Sequence, residues 1–223
     1  PYDLVKTMRA SFYVMGPLLA RFGESKVSLP GGCAWGPRPV DYHLKGFEKL
    51  GATIDLNQGY ILAQSEKLQG SEISFEIASV GATANILMAA VLAEGKTFIN
   101  NAAVEPHIVQ LCDVLVDMGA NIRGIGTHRL EIEGVSSLRP VEVKVIPDMI
   151  EAGTFLMAGA TLGEITLTDV DPSHLNIVLE KLDHAGCDLT IDDSTITIKQ
   201  NDCIRSTDIT TDVHPGFPTD LQA

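Results

Sequence analysis

Apolar positions recur in three successive blocks of the chain, and each block changes period in the same way. A run at helical spacing comes first: Val14, Leu18, Leu19, then Leu87, Met88, Val91, Leu92, then Phe155 and Leu156. A short β-rich run follows at 26–29, 97–100 and 164–168. A second amphipathic helix is predicted from Val40, Leu44, Phe47, from Ile108, Leu111, Leu115, and from Leu175, Val178, Leu179, Leu182. Alternating residues at 53–56 with 60–63, 121–123 with 129–133, and 188–191 with 195–199 predict two strands around a turn. A further strand is expected at 73–77, 141–145 and 209–213, leading into the next block.

The punctuation repeats as well. Thr7, Ser79 and Asp148 stand where the first helix needs a cap for its orphan N–H groups. Gly23, Gly95 and Gly163 stand where it should stop, and Pro39, Pro106 and Pro172 open the second helix. Gly51, Gly119 and Gly186, 68 and 67 residues apart, end that helix. Three marks on one period define a helix–strand–helix–strand–strand repeat, too long for the common helical solenoids. The fold class expected is α/β (α+β): a prism-like stack of small sheets with the helices inside. Residues 1–147 would hold two repeats of one domain, and 148–223 one repeat and the start of the next from a second domain.

One repeat is not like the others. From helix stop to second-helix proline there are 16 residues in the first copy, against 11 and 9 in the others. The extra residues form the stretch Leu29-Pro30-Gly31-Gly32-Cys33-Ala34-Trp35-Gly36-Pro37-Arg38-Pro39. A loop lengthened in a single copy marks function more often than packing. Cys33, between glycines and five residues from Arg38, is the candidate reactive thiol, whereas Cys112 and Cys187 read as core fillers. Arg38 precedes a proline-opened helix, so a guanidinium and a helix N-terminus would serve one anion. Arg9 falls in a first turn, where a cation is out of place unless an anion binds there. Ser79-Val80-Gly81 opens a helix with small residues and reads equally as a cap or an anion site. Asp220 could cap the next helix, and neither it nor Glu105 is catalytic by spacing alone.

Composition narrows the field. The 223 residues carry 16 basic and 29 acidic side chains, a net charge of −13, which excludes a general nucleic-acid binder or an anionic-membrane patch. Any anionic ligand must therefore be held by local arginines and backbone N–H groups. No Cys-x-x-Cys pair and no histidine spacing suits a metal, so none is expected, and the histidines (43, 107, 128, 174, 184, 214) read as surface or helix residues. No apolar run spans a bilayer, and free thiols suit a reducing cytoplasm. Pro1 and Ala223 read as interior points of a longer protein.

Thr7-Met8-Arg9-Ala10-Ser11, Leu29-Pro30-Gly31-Gly32-Cys33, Arg38-Pro39-Val40-Asp41, Ser79-Val80-Gly81-Ala82-Thr83, Ile146-Pro147-Asp148 and Phe217-Pro218-Thr219-Asp220 together resemble the UDP-N-acetylglucosamine enolpyruvyl transferases, in order and over the whole chain. The resemblance implies an inverse α/β prism in two domains of three repeats each. It implies transfer of the enolpyruvyl group of phosphoenolpyruvate to the 3′-hydroxyl of UDP-N-acetylglucosamine, the first committed step of peptidoglycan synthesis, with phosphate released and no cofactor. It further implies that Cys33 is the proton donor and the residue alkylated by fosfomycin, and that Arg38 contacts both substrates. Pro39, Val40, Asp41 and Tyr42 would line the uridine pocket. Backbone N–H groups at Ser79, Val80 and Gly81 would hold the diphosphate with Arg9, and Asp220 would take the proton of the sugar hydroxyl.

The chain departs from the family pattern at Met149, Ile77, Trp35, Pro37 and His107. The family's segments on either side of residues 1–223, with further phosphoenolpyruvate-binding cations, are not in the sequence, so the chain alone is expected to be inactive and to self-associate. Three other readings compete: a 5-enolpyruvylshikimate-3-phosphate synthase-like transferase, which would not carry the Gly-Gly-Cys loop; a thiol-redox protein; and a non-catalytic sugar-nucleotide-binding module.

Overall fold

In each repeat the strand after the first helix pairs with the far strand of the hairpin, and three copies of that pairing give three sheets of one design. The computed structural model describes residues 8–29, 40–200 and 203–221. The chain divides into two compact units, Pro1–Val143 and Lys144–Ala223.

In the first repeat, β1 (Glu24–Ser28) lies antiparallel to β3 (Tyr60–Gln64), which pairs with β2 (Thr53–Asn57), giving the order β1-β3-β2. The second repeat gives β5 (Lys96–Asn100), β7 (Arg129–Glu133) and β6 (Asn121–Arg123) in the order β5-β7-β6. The third gives β8 (Ile165–Thr168), β10 (Thr195–Lys199) and β9 (Asp188–Ile191) as β8-β10-β9. Strand β4 (Glu72–Ser74) joins the middle sheet parallel to β5. The mixed α/β repeat expected from the sequence is the fold observed.

The helices are α1 (Met15–Phe22), α2 (Asp41–Lys49), α3 (Val80–Ala90), α4 (Pro106–Asp117), α5 (Met149–Leu162) and α6 (Asn176–His184). Ser79 and Asp148 cap α3 and α5 as their positions predict: the Ser79 hydroxyl accepts from Ala82 N, and the Asp148 carboxylate from Ile150 N and Glu151 N. The first helix differs from expectation at its start. A 3₁₀ turn over Arg9–Val14 precedes α1, because Pro17 has no N–H to bond back to Tyr13 and the α pattern is established only from Met15. Helix α3 stops at Ala90, and Gly95 turns the chain a few residues later rather than ending the helix.

Two expected strands are absent. Residues 141–145 and 209–213 have no ladder partner among the described residues, apart from a lone bridge at Thr211, and Val143, Val145, Ile209 and Val213 are exposed. Alternation alone does not make a strand: 72–74 is one because β5 lies beside it.

The core of the first unit wraps α3, where Ala82, Ala84, Ile86, Leu87, Ala89 and Ala90 are all buried. Helix α2 approaches it through Gly46, where a Cβ would strike the fully buried Ile86 side chain. Gly46→Ala is expected to destabilise this unit by about 1–2 kcal/mol, overpacking being offset in part by helix propensity. Ile86→Val removes the clashing Cδ1, so the double variant should lose less than the sum of the singles in a urea-denaturation cycle. Strict additivity would show that the two helices do not touch there.

Candidate functional site

The start of α3 holds three of the described candidates, Ser79, Val80 and Gly81. Val80 and Gly81 are its first residues, and their N–H groups have no acceptor among the described residues, since the Ser79 side chain is committed to Ala82 N at 3.3 Å and the Ser79 carbonyl to Thr83 N. A helix of eleven residues ends here with its positive pole uncovered by any acidic residue of its first turn.

Two side chains from other elements close on this helix end. A Cβ on Gly81 would lie 3.2 Å from Cε1 and Nε2 of His43 and 3.3 Å from the Tyr13 hydroxyl. Gly81 is therefore glycine for close approach, not for turn geometry. Tyr13 comes from the 3₁₀ turn and His43 from α2. Arg9 opens that same 3₁₀ turn, and its guanidinium acts electrostatically on both rings. Burial raises the Tyr13 pKa above its ordinary 10.0, with Arg9 opposing. Burial lowers the pKa of His43 to about 4, Arg9 lowers it further, and Asp41 opposes, so the imidazole is neutral at pH 7.

Behind these rings sits Asn85, fully buried one turn into α3. Its amide Oδ1 accepts from Gly16 N at 2.7 Å, and its Nδ2 donates to the Phe12 carbonyl at 2.9 Å and to His43 Nδ1 at 3.1 Å. Phe12 meets the imidazole edge-on at a centroid distance of 4.9 Å.

Of the remaining sequence candidates, Val40 is buried at the start of α2, Asp41 is exposed on its first turn, and the Tyr42 ring packs on Phe75. Asp220 belongs to the second unit, exposed in a single 3₁₀ turn over Thr219–Leu221. Cys33, Arg38 and Pro39 lie outside the described residues. Cys112 is buried with its thiol pushed up to about 12, and burial also raises Cys187, so neither is a ready nucleophile. No metal-binding cluster occurs among the described residues. No described helix is long and apolar enough to cross a membrane.

Sequence reading missed His43, Tyr13 and Asn85. The histidine is a helix residue, as expected, but not a surface one: it is 4% exposed. The signal was present, since positions 40, 43, 44 and 47 share one helical face. A groove of about 1710 Å³ elsewhere on the first unit, lined by Leu19, Met88, Leu92, Leu111 and Met118 among others, includes none of the candidate residues.

The architecture is that of the enolpyruvyl transferases. The crystal structure of the enolpyruvyl transferase NikO from Streptomyces tendae matches 100% of this chain with 54% of its own, at a TM-score of 0.85 and 24% identity. EPSP synthase from Acinetobacter baumannii matches 86% of this chain with 46% of its own, at a TM-score of 0.65 and 23% identity. The family model of EPSP synthase (3-phosphoshikimate 1-carboxyvinyltransferase) matches residues 1–223, and the chain belongs to that family. Among curated relatives, the UDP-N-acetylglucosamine 1-carboxyvinyltransferases of Prosthecochloris aestuarii and Pelodictyon phaeoclathratiforme are each 57% identical over 226 residues, covering 100% of this chain and 53% of theirs. The chain thus spans about half the length of the curated relatives it matches.

Proposed function

We propose that this chain is part of an enzyme that moves the enolpyruvyl group of phosphoenolpyruvate onto the 3′-hydroxyl of UDP-N-acetylglucosamine, with release of phosphate, in the cytoplasmic synthesis of peptidoglycan. The observation that carries this is the 57% identity across the whole chain with relatives bearing that transferase name. The geometry supports it where an anion is concerned: two unclaimed N–H groups at the start of α3, with the Arg9 guanidinium near, suit a diphosphate. The 5-enolpyruvylshikimate-3-phosphate alternative has weaker support, at 23% identity to a solved example.

In this reading Arg9, Val80 and Gly81 hold the diphosphate, with Ser79 shaping the helix start. Pro39, Val40, Asp41 and Tyr42 hold the uridine, with Val40 and Tyr42 fixed by packing and Asp41, exposed and paired with Lys45 at 3.6 Å, accepting from it. Asp220 takes the proton of the sugar hydroxyl as its oxygen bonds to C2 of phosphoenolpyruvate. The Cys33 thiol gives a proton to C3, and Arg38 steadies the phosphate charge. Loss of a C3 proton and of the C2–O bond to phosphate then restores the double bond. One base, one acid and cations for the phosphates complete an addition–elimination without a metal.

Mass spectrometry after exposure to fosfomycin with UDP-N-acetylglucosamine present tests this. One adduct on Cys33 is expected. Labelling spread over the cysteines, or peroxide reactivity without fosfomycin reactivity, would favour a redox thiol instead. The isolated 223-residue chain is expected to release no phosphate from phosphoenolpyruvate, because it spans only half of its relatives.

A further inference from the structure

We propose that Cys187 and Cys203 are a redox pair: an oxidising small-molecule disulfide joins their sulfurs, tying the connector that follows β10 to the edge of the third sheet. Neither cysteine belongs to the transferase machinery proposed above, and the inference stands apart from that reading.

The repeat shows why the two meet. In each copy a backbone N–H of the connector after the hairpin donates to the carbonyl just before the helix-ending glycine: Gln69 to Leu50 at 2.8 Å, Arg139 to Met118 at 2.9 Å and Arg205 to Ala185 at 2.9 Å. Two residues beyond the acceptor stand Ala52, Ala120 and Cys187, each 7% exposed. Two residues before the donor stand Lys67, Ser137 and Cys203, all exposed. The third copy alone has a thiol at both places. It also differs in spacing: a Cβ on Gly186 would lie 3.8 Å from the Cys203 carbonyl oxygen, whereas one on Gly51 or Gly119 would meet nothing within 4 Å. As the chain rises from Ala185 to Gly186, the connector it meets falls from Arg205 to Cys203, so the two segments run antiparallel and Cys187 faces Cys203. Facing residues of antiparallel segments have Cα atoms about 4.5–5.5 Å apart, within the range of about 4.4–6.8 Å that a disulfide spans.

Both cysteines are reduced in the structure, Cys203 exposed and Cys187 buried. Burial raises the Cys187 pKa, so the exposed thiol reacts first. Its thiolate attacks one sulfur of the small disulfide, and one small thiolate leaves. Cys187 then loses its proton and attacks the Cys203 sulfur, expelling the second small thiolate. The protons of the two cysteines pass through solvent to the two thiolates released. Two protein thiols are thus oxidised to one disulfide, and the oxidant is reduced to two thiols. The Cys187 N–H is already given to the Leu182 carbonyl and does not hold the connector, so the sulfur–sulfur bond adds a tie that the other two repeats cannot make.

Equilibration of the 223-residue chain with glutathione disulfide, then alkylation of the remaining thiols and peptide mass spectrometry, tests this. A linked Cys187–Cys203 peptide pair is expected, favoured about tenfold more in the folded chain than in urea, because folding holds the sulfurs together. Cys187→Ala, which installs the residue of the other two repeats, should stop at a glutathione adduct on Cys203. Trypsin cleavage after the exposed Arg205 should slow about tenfold in the oxidised wild type, recover with dithiothreitol, and show no such slowing in Cys187→Ala. Wild type that stops at the same glutathione adduct overturns the proposal. So does a link no more favoured in the folded chain than in urea, or pairing of either cysteine with Cys33 or Cys112. Should Cys187→Ala fail to fold, the comparison of folded with urea-denatured wild type decides alone.

Discussion

Asn85→Leu will destabilise the first unit by about 4 kcal/mol, although it replaces one side chain by another of nearly the same shape. Asparagine at this position is fully buried and joins three elements: Gly16 in the first turn of α1, Phe12 in the preceding 3₁₀ turn, and His43 in α2. Leucine supplies none of these bonds. A buried donor or acceptor left unsatisfied costs about 1–3 kcal/mol, and three are orphaned together, so even partial relaxation leaves a loss of this order. Gly16 N–H has little alternative, since it is one of the N–H groups that a helix start cannot satisfy internally. Urea denaturation should show a lower midpoint with an unchanged slope. Asn85→Asp is the informative comparison: its carboxylate still accepts from Gly16 and can accept from a protonated His43, so its loss should be smaller at pH 6 than at pH 8. A leucine variant within about 1 kcal/mol of wild type would mean that these three contacts hold nothing together.

The repeat and its hairpin strands were legible because each rests on local chemistry. Ser79 and Asp148 cap the helices they precede because a short oxygen side chain meets the N–H groups two or three residues on. Pro106 opens α4 as the first helical residue, where its missing N–H costs nothing. The hairpin strands at 121–123, 129–133, 188–191 and 195–199 have the bounds that their alternation gives. What failed depends on neighbours distant in sequence. Residues 141–145 alternate as well as β4 does, yet only β4 has a strand beside it. Of the candidates for an anion site, Arg9 was marked in the sequence by a misplaced cation and Ser79-Val80-Gly81 by a small-residue helix start. His43 hid in an apolar stripe, and Asn85 in a run of alanine, isoleucine and leucine, because a buried polar residue shows its purpose only through the partners it meets. Cys33 and Arg38, the strongest marks in the sequence, lie outside the described residues, so the thiol's role rests on the lengthened loop and the family likeness.

Mild acid should weaken the first unit well before its carboxylates protonate. His43 has an ordinary pKa of 6.5 when unfolded and about 4 in the fold, lowered first by burial and then by Arg9, with Asp41 opposing. The unfolded chain therefore binds more protons than the folded one between these values, and stability falls as pH falls through that window. The contribution is fully present above pH 6.5, is about 2 kcal/mol smaller by pH 5, and is about 3 kcal/mol smaller by pH 4. Measuring the urea midpoint of wild type and His43→Gln from pH 7.5 to 4.5 isolates it, because glutamine does not titrate and the other ionisable groups are common to both. The wild-type curve should drop relative to the variant's as the pH is lowered, and the imidazole resonances of His43 should stay in their neutral positions down to about pH 5. Parallel curves would place the ring in water rather than against α3. Protonation also gives Nδ1 a hydrogen that points at the Nδ2 donor of Asn85, so the same acid that costs stability breaks the contact fixing the ring. A ligand phosphate at the helix start would oppose this together with Asp41, since both favour positive charge there. If pyrophosphate binds at the proposed anion site, it should raise the His43 pKa towards 6.5 and flatten the pH dependence of stability.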